Sequence, residues 1–321
     1  MNRLAAFALT FIASCAPIPQ DAPPSRAASF AQTLPPMRVF TTTYVAPATR
    51  PNSEIAQDFL DLSFRMESGR NVAQMTRFKG PITVRATGAT NPTMIRDLEE
   101  LLARLRTQAK LDIRMVSPDQ PASITIEAVP RAVLSAAVPK AACFVVPRLT
   151  SWREFKIARR TPQVDWTTLK RRDRAAIFVP ADVAPQEIRD CLHEELAQAL
   201  GPLNDLYRLP DSVFNDDNIQ AVLTGFDMLI LQAYYAPELR NGMSRGEAAV
   251  RIPGILARLN PAGERRAGAP LNDTSRDWIE AMETALTNGA SPARRRAAAQ
   301  QAISLGTAFG WTGVRAGFAQ Y

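Results

Sequence analysis

The sequence predicts an α+β fold. Strand-like segments, short and β-branched or alternating, fall between residues 81 and 179, and helical patterns dominate from residue 182 onward. The predicted order is helix, strand, helix, several strands, then helices, the order expected of a sheet backed by helices.

Residues 53–66 open with Ser53 as a cap and carry Ile55, Phe59, Leu62 and Phe64 at near-helical spacing. Pro81 to Ala86 reads as a strand. Asn91-Pro92 starts a helix with Met94, Leu98, Leu101, Leu102 and Leu105 along one stripe. Leu111–Val116 and Ile124–Val129 alternate or are β-branched, as strands require. Cys143–Pro147 is a short strand whose proline suits a sheet edge. Ala175–Val179 is an unbroken apolar run, read as a buried strand that ends at Pro180. A helix then starts near Asp182 to Pro185.

The chain opens with a different signal. Arg3 precedes an apolar run from Leu4 to Ala13, and Ile12-Ala13-Ser14-Cys15 fits a lipobox, which predicts Cys15 as a lipidated residue. That run, of about ten residues, is too short to span a bilayer. Residues 16–52 are rich in Pro, Ala, Ser and Thr and read as an extended tether. The expected organisation is therefore signal and lipobox 1–15, tether 16–52, main domain 53–245 and a helical region 246–321. The expected address is the bacterial cell envelope, lipid-anchored and facing the periplasm.

Composition narrows the partners. The 321 residues carry 38 Lys and Arg against 31 Asp and Glu, for a formal charge of +7. The densest basic runs, Lys170-Arg171-Arg172 and Arg294-Arg295-Arg296, have no interleaved aromatics, and no nucleic-acid partner is expected. Besides Cys15 the sequence holds only Cys143 and Cys191. An exported even pair favours a disulfide closing a loop of about 48 residues, worth roughly 4 kcal/mol in the chain-entropy treatment; the alternative is a pair of buried thiols.

The chemistry concentrates at Glu194-Glu195-Leu196-Ala197-Gln198-Ala199-Leu200-Gly201-Pro202-Leu203-Asn204-Asp205. Metzincin zinc proteases carry His-Glu-x-x-His-x-x-Gly-x-x-His/Asp on such a helix. Laid on that frame, Glu194 and Gln198 occupy the histidine positions, Glu195 the general-base position, Gly201 the turn and Asn204 the third ligand position. The chain has a single histidine, His193, so no histidine triad is available. Neutral amides are poor zinc donors. Glu194 and Glu195 are neighbours pointing about 100° apart, which is unsuited to a paired acid and base on one substrate atom. Glu194, Gln198 and Asn204 can converge if the turn at Gly201 carries Asn204 back over the helix. Such a set suits an internal polar network, a ligand or peptide groove, or a hard cation such as calcium with Asp205, Asp216 or Asp217 assisting. No cofactor is otherwise expected. His193 reads as a surface residue of the helix.

Downstream, Ser212-Val213-Phe214 stands where metzincins have a turn with a methionine floor; Phe214 replaces that methionine and reads as core filler. Leu223 to Tyr235 resembles the closing helix of matrixin-like proteases, with Thr224 and Asp227 placed for a capping box. The stretches Cys191–Asp205, Ser212–Asp216 and Thr224–Met243 resemble a bacterial family of lipoproteins classed as a domain of unknown function and similar to the metzincin-type peptidases. Glu-Glu-x-x-Gln in place of His-Glu-x-x-His looks like that family's own feature. The resemblance implies a metzincin-like fold, with a substrate cleft between the edge strand and the motif helix; it implies no established activity.

The remainder is helical. Ser244 and Glu247 form a second capping box, opening a helix that Pro253-Gly254 is expected to break or kink. Asp273-Thr274-Ser275 and Ser291-Pro292 start two further helices, a hairpin like half a tetratricopeptide unit that is expected to pack on the main domain, since one pair cannot form a solenoid. The final segment from Gly310 to Tyr321 keeps aromatics and is expected to dock. The functional expectation is an anchored protein with a degenerate metalloprotease-like fold, binding an envelope protein, peptide or wall component without zinc protease activity. The alternatives are a hydrolase using Glu195 with a non-zinc metal or water, and a structural envelope lipoprotein.

Overall fold

A computed structural model describes residues 48, 50–139, 141–209, 211–215, 222–266, 268, 275–286 and 290–308. The lipobox, nearly all of the tether, Asp216, Asp217 and the segment from Gly310 lie outside the described residues. Among those described, no helix is long and apolar enough to cross a membrane.

Among the described residues five strands form one mixed sheet: β1 (Ile82–Gly88), β2 (Ile113–Met115), β3 (Ile124–Val129), β4 (Phe144–Pro147) and β5 (Ala175–Pro180). Their order is β2-β1-β3-β5-β4. The first three pairings are parallel and β4 runs antiparallel to β5, with Val145 opposite Ile177. Strand β4 lies at the sheet edge, as Pro147 predicted, because a residue without an N–H costs no ladder bond there.

The faces explain the patterns. On one face Ile82, Val84, Ala86, Ile124, Ile126, Ala175, Ile177 and Val179 join the main core. The helices α1 (Asn52–Ser63), α2 (Pro92–Thr107), α5 (Pro185–Leu200), α6 (Gly225–Tyr234) and α7 (Arg245–Leu259) bury their apolar stripes in that same core. On the other face Ala176, Phe178 and Val146 meet Leu134, Trp152 and Phe155 from two short helices, α3 (Arg131–Ala137) and α4 (Trp152–Ala158). Strand β5 is covered on both faces, which is why its sequence is continuously apolar.

Three details depart from expectation. Helix α1 starts at Asn52, one residue before Ser53, and has no side-chain cap. Asn52 instead donates to Asn260 O at 3.0 Å and to Glu264 at 2.7 Å, tying α1 to the end of α7. Helix α7 continues through Pro253 to Leu259 rather than breaking there. Ile252, Ile255 and Leu256 on both sides of the proline are buried in the main core, and that packing outweighs one lost intrahelical bond. Helices α3 and α4 were not anticipated.

Both capping boxes form: Thr224 with Asp227 on α6, and Ser244 with Glu247 on α7. The final pair, α8 (Arg276–Leu286) and α9 (Pro292–Ala308), packs Trp278, Ala281 and Met282 against Ala302. Tyr207 meets Trp278 edge-on at 5.4 Å, so the hairpin does pack on the main domain.

Candidate functional site

Helix α5 carries the motif and is buried along most of its length. Its C-terminal carbonyls would be orphaned in a dry interior. Arg172, itself 2 % exposed, satisfies them. Its Nη1 donates to the carbonyls of Gln198 and Ala199 at 2.6 Å each, and Nη2 to that of Gly201 at 2.5 Å. Nε donates to Thr76 O at 3.0 Å, and the guanidinium lies 4.7 Å from the Trp166 ring centre. The Tyr235 hydroxyl donates to Leu200 O at 2.9 Å. Burial lowers the Arg172 pKa, but an arginine stays charged, and the negative end of the helix dipole faces it.

The predicted site residues are not drawn to one point by their polar bonds. Gln198 donates from Nε2 to Glu67 Oε1 at 2.8 Å. Asn204 donates from Nδ2 to Asp61 O at 3.0 Å, on the end of α1. The turn after α5 is held to α1 by Leu203 N donating to Leu62 O at 3.0 Å. Glu194 is half-buried. Both amide nitrogens are thus committed to protein acceptors. That orientation, and the chemistry of amides, does not fit the zinc ion that the metzincin frame implies. Among the described residues no group of three or more His, Cys, Asp and Glu is placed to hold a metal ion.

Glu195 is buried, and its Oε2 has no hydrogen-bond partner among the described residues. Desolvation, with the charges of Glu194 and Glu67 adding to it, pushes its pKa well above the usual carboxylate range. Burial thus favours the neutral form of this carboxyl group.

Gly201 has a φ of −167°, outside the left-handed region, so its small size serves a contact rather than a left-handed turn. A Cβ there would lie 2.9 Å from the Tyr234 ring. Ser212 is fully buried and donates to Asp227 Oδ1 at 2.5 Å, while it accepts from Phe214 N at 3.0 Å. Phe214 is fully buried, as core filler. Cys143 and Cys191 are joined, with sulfurs 2.07 Å and Cα atoms 5.9 Å apart, linking the start of edge strand β4 to α5.

His193 is not a surface residue; it is 5 % exposed. Its Nδ1 accepts from Leu223 N at 3.2 Å, while Arg104 Nη2 donates to Leu223 O at 2.6 Å. Together they pin the entry to α6. Burial, with Arg104 and Arg189 nearby, lowers the His193 pKa to about 3. A neutral folded imidazole against an unfolded pKa near 6.5 contributes stability above about pH 6.5 and loses it as pH falls toward 3. Asp227 works in the opposite sense. Burial raises its pKa to about 6, so its contribution is full below about pH 3.8 and is lost as pH rises through 6. The two oppose each other between about pH 4 and 6. His193→Asn, which can keep an acceptor for Leu223 N, should remove the first effect and expose the second. Its acid-unfolding midpoint, followed by circular dichroism, is expected to fall by on the order of one pH unit.

Fold and site together define an α+β domain with a mixed sheet and a buried, acid-bearing helix. The chain belongs to the family described as a protein of unknown function, DUF2927, whose match covers residues 52–254. No curated protein and no solved structure was found to match the chain.

Sequence reasoning missed Glu67 and Arg172 as parts of this site. Glu67 is 131 positions from Gln198. Arg172 lay in a basic run read only for its lack of interleaved aromatics. No local pattern marks either; only the fold brings them to α5.

Proposed function

We propose that this chain is a lipid-anchored envelope protein whose main domain keeps a metzincin-like scaffold and binds an envelope protein, peptide or wall component without zinc protease chemistry. The observation that carries the reading is the commitment of Gln198 and Asn204 as hydrogen-bond donors to Glu67 and to the Asp61 carbonyl. Side chains at ligand positions of a zinc site would present lone pairs to the metal, and these present N–H groups to oxygen. The edge position of β4 and its disulfide link to the motif helix support the scaffold half of the reading, since the metzincin frame puts its cleft between those two elements. The lipobox at Cys15 supports the anchor. Cys15→Ala is expected to release the protein from the membrane fraction; retention there would contradict the anchor.

A second reading is favoured by Glu195. A buried acid whose pKa is pushed up by desolvation suits general acid–base work on a peptide or peptidoglycan fragment. The two readings part in one experiment. Across a broad panel of peptides and peptidoglycan fragments, the first expects no hydrolysis by wild type beyond that of Glu195→Gln. Turnover that vanishes in a folded Glu195→Gln variant would establish the second.

A further inference from the structure

Residues 65–71 form a small hairpin that lies against α5. Arg65 and Asn71 bridge in antiparallel fashion, Met66 N donates to Arg70 O at 2.9 Å, and Gly69 takes a left-handed φ of 78° at the tip. The base is fixed, because Phe64 and Val72 are buried and Val72 N donates to Phe64 O at 2.9 Å. The tip, Glu67 to Arg70, is exposed.

The tip is held on both sides by polar bonds. On the α5 side, Glu67 N donates to Leu203 O at 3.2 Å and Glu67 Oε1 accepts from Gln198 at 2.8 Å. On the other side, Arg70 Nη2 donates to Asp165 Oδ2 at 2.8 Å and to Thr167 Oγ1 at 2.9 Å. The Arg70 side chain is 54 % exposed, and such a surface ion pair is a weak hold. Glu195 precedes Gln198 by one helical turn and shares its side of α5. Its buried Oε2, without a hydrogen-bond partner among the described residues, carries a desolvation cost.

We infer that the Arg65–Asn71 hairpin is a strap closed over the motif face of α5, held by Glu67 and Arg70, and that its opening about the Phe64–Val72 base uncovers Glu195 and Gln198. This rests on reading that helix face as the functional surface; the test below needs no ligand, so the strap and the binding function stand or fall separately. Carbodiimides activate only carboxyl groups they can reach, so labelling of the buried Glu195 reports its exposure.

The experiment is carbodiimide labelling of the full-length chain at neutral pH, with a small amine as trap and peptide mass spectrometry as readout. In wild type, Glu195 should label slowly, limited by opening. In Glu67→Ala/Arg70→Ala, its rate should rise by at least about tenfold, as expected when a local opening equilibrium is shifted, while exposed Glu99 and Glu100 are unchanged. An unchanged Glu195 rate in a double variant with native near-ultraviolet dichroism would overturn the strap. Should the variant not fold, hydrogen exchange on wild type decides. The amides of Met66, Glu67 and Gly69 should exchange together, faster than that of Ile126 in β3 by at least about tenfold. Exchange at the Ile126 rate would overturn the inference.

Discussion

Arg172→Met is expected to lower stability by about 3–5 kcal/mol, within the range for breaking a buried charged network. The side chain is anchored by backbone carbonyls, those of Gln198, Ala199, Gly201 and Thr76. Methionine fills similar volume but donates nothing, so buried carbonyls at the end of α5 are left without donors, each costing about 1–3 kcal/mol before relaxation. The relief of no longer burying a cation offsets part of that sum. Arg172→Lys separates charge from geometry. An ammonium keeps the charge but cannot span three carbonyls on one side and Thr76 on the other. It should recover less than half of the loss in urea titration. Stability equal to wild type in the methionine variant would show that water or neighbouring donors replace the guanidinium, and that Arg172 is not what fixes the motif helix.

Removing the Cys143–Cys191 bond by Cys143→Ser is expected to cost roughly 2–5 kcal/mol under oxidising conditions. The bond closes a loop with a sequence separation of 48, so much of its effect is to restrict the unfolded chain. It also joins the edge strand β4 to α5 one turn before Glu195, fixing one wall of the proposed groove to its floor. Thiol titration of denatured, non-reduced protein should find no free thiol besides any on an unlipidated Cys15. In wild type, a reductant should lower the urea midpoint toward that of the serine variant and should not change the variant itself. Two further titratable thiols in native oxidised protein would contradict the pairing.

Much of the fold was legible because its elements are locally consistent. The strands at Ile124–Val129 and Ala175–Pro180 announce themselves by β-branching and apolar runs, and Asn91, Thr224 and Ser244 cap the helices they precede. What escaped has physical causes. Helices α3 and α4 span seven residues each, too short for a periodic stripe to stand out. The proline in α7 is a local veto that tertiary packing overrides. Asn52 begins α1 without capping it, because its amide is committed to residues 208 and 212 positions away. His193 looked like surface because its partner, Leu223 N, is a backbone group that no sequence pattern advertises.

The site was legible in part. The motif register located the buried acid Glu195 and the pair Gln198 and Asn204. It did not reveal that those amides turn away to Glu67 and to α1, since that depends on how the hairpin and the Gly201 turn pack. Gly201 itself was read as a turn; its requirement is the face of Tyr234.

We propose that the motif helix carries the spacing of a zinc-protease motif with side chains unsuited to zinc. Elemental analysis of the full-length chain tests it most directly, performed as purified without chelator and again after incubation with zinc and desalting. The account predicts zinc far below one ion per chain in both preparations, with no change in Glu194→Ala or Gln198→Ala. One tightly held zinc per chain, lost on substitution of Glu194 or Gln198, would contradict it.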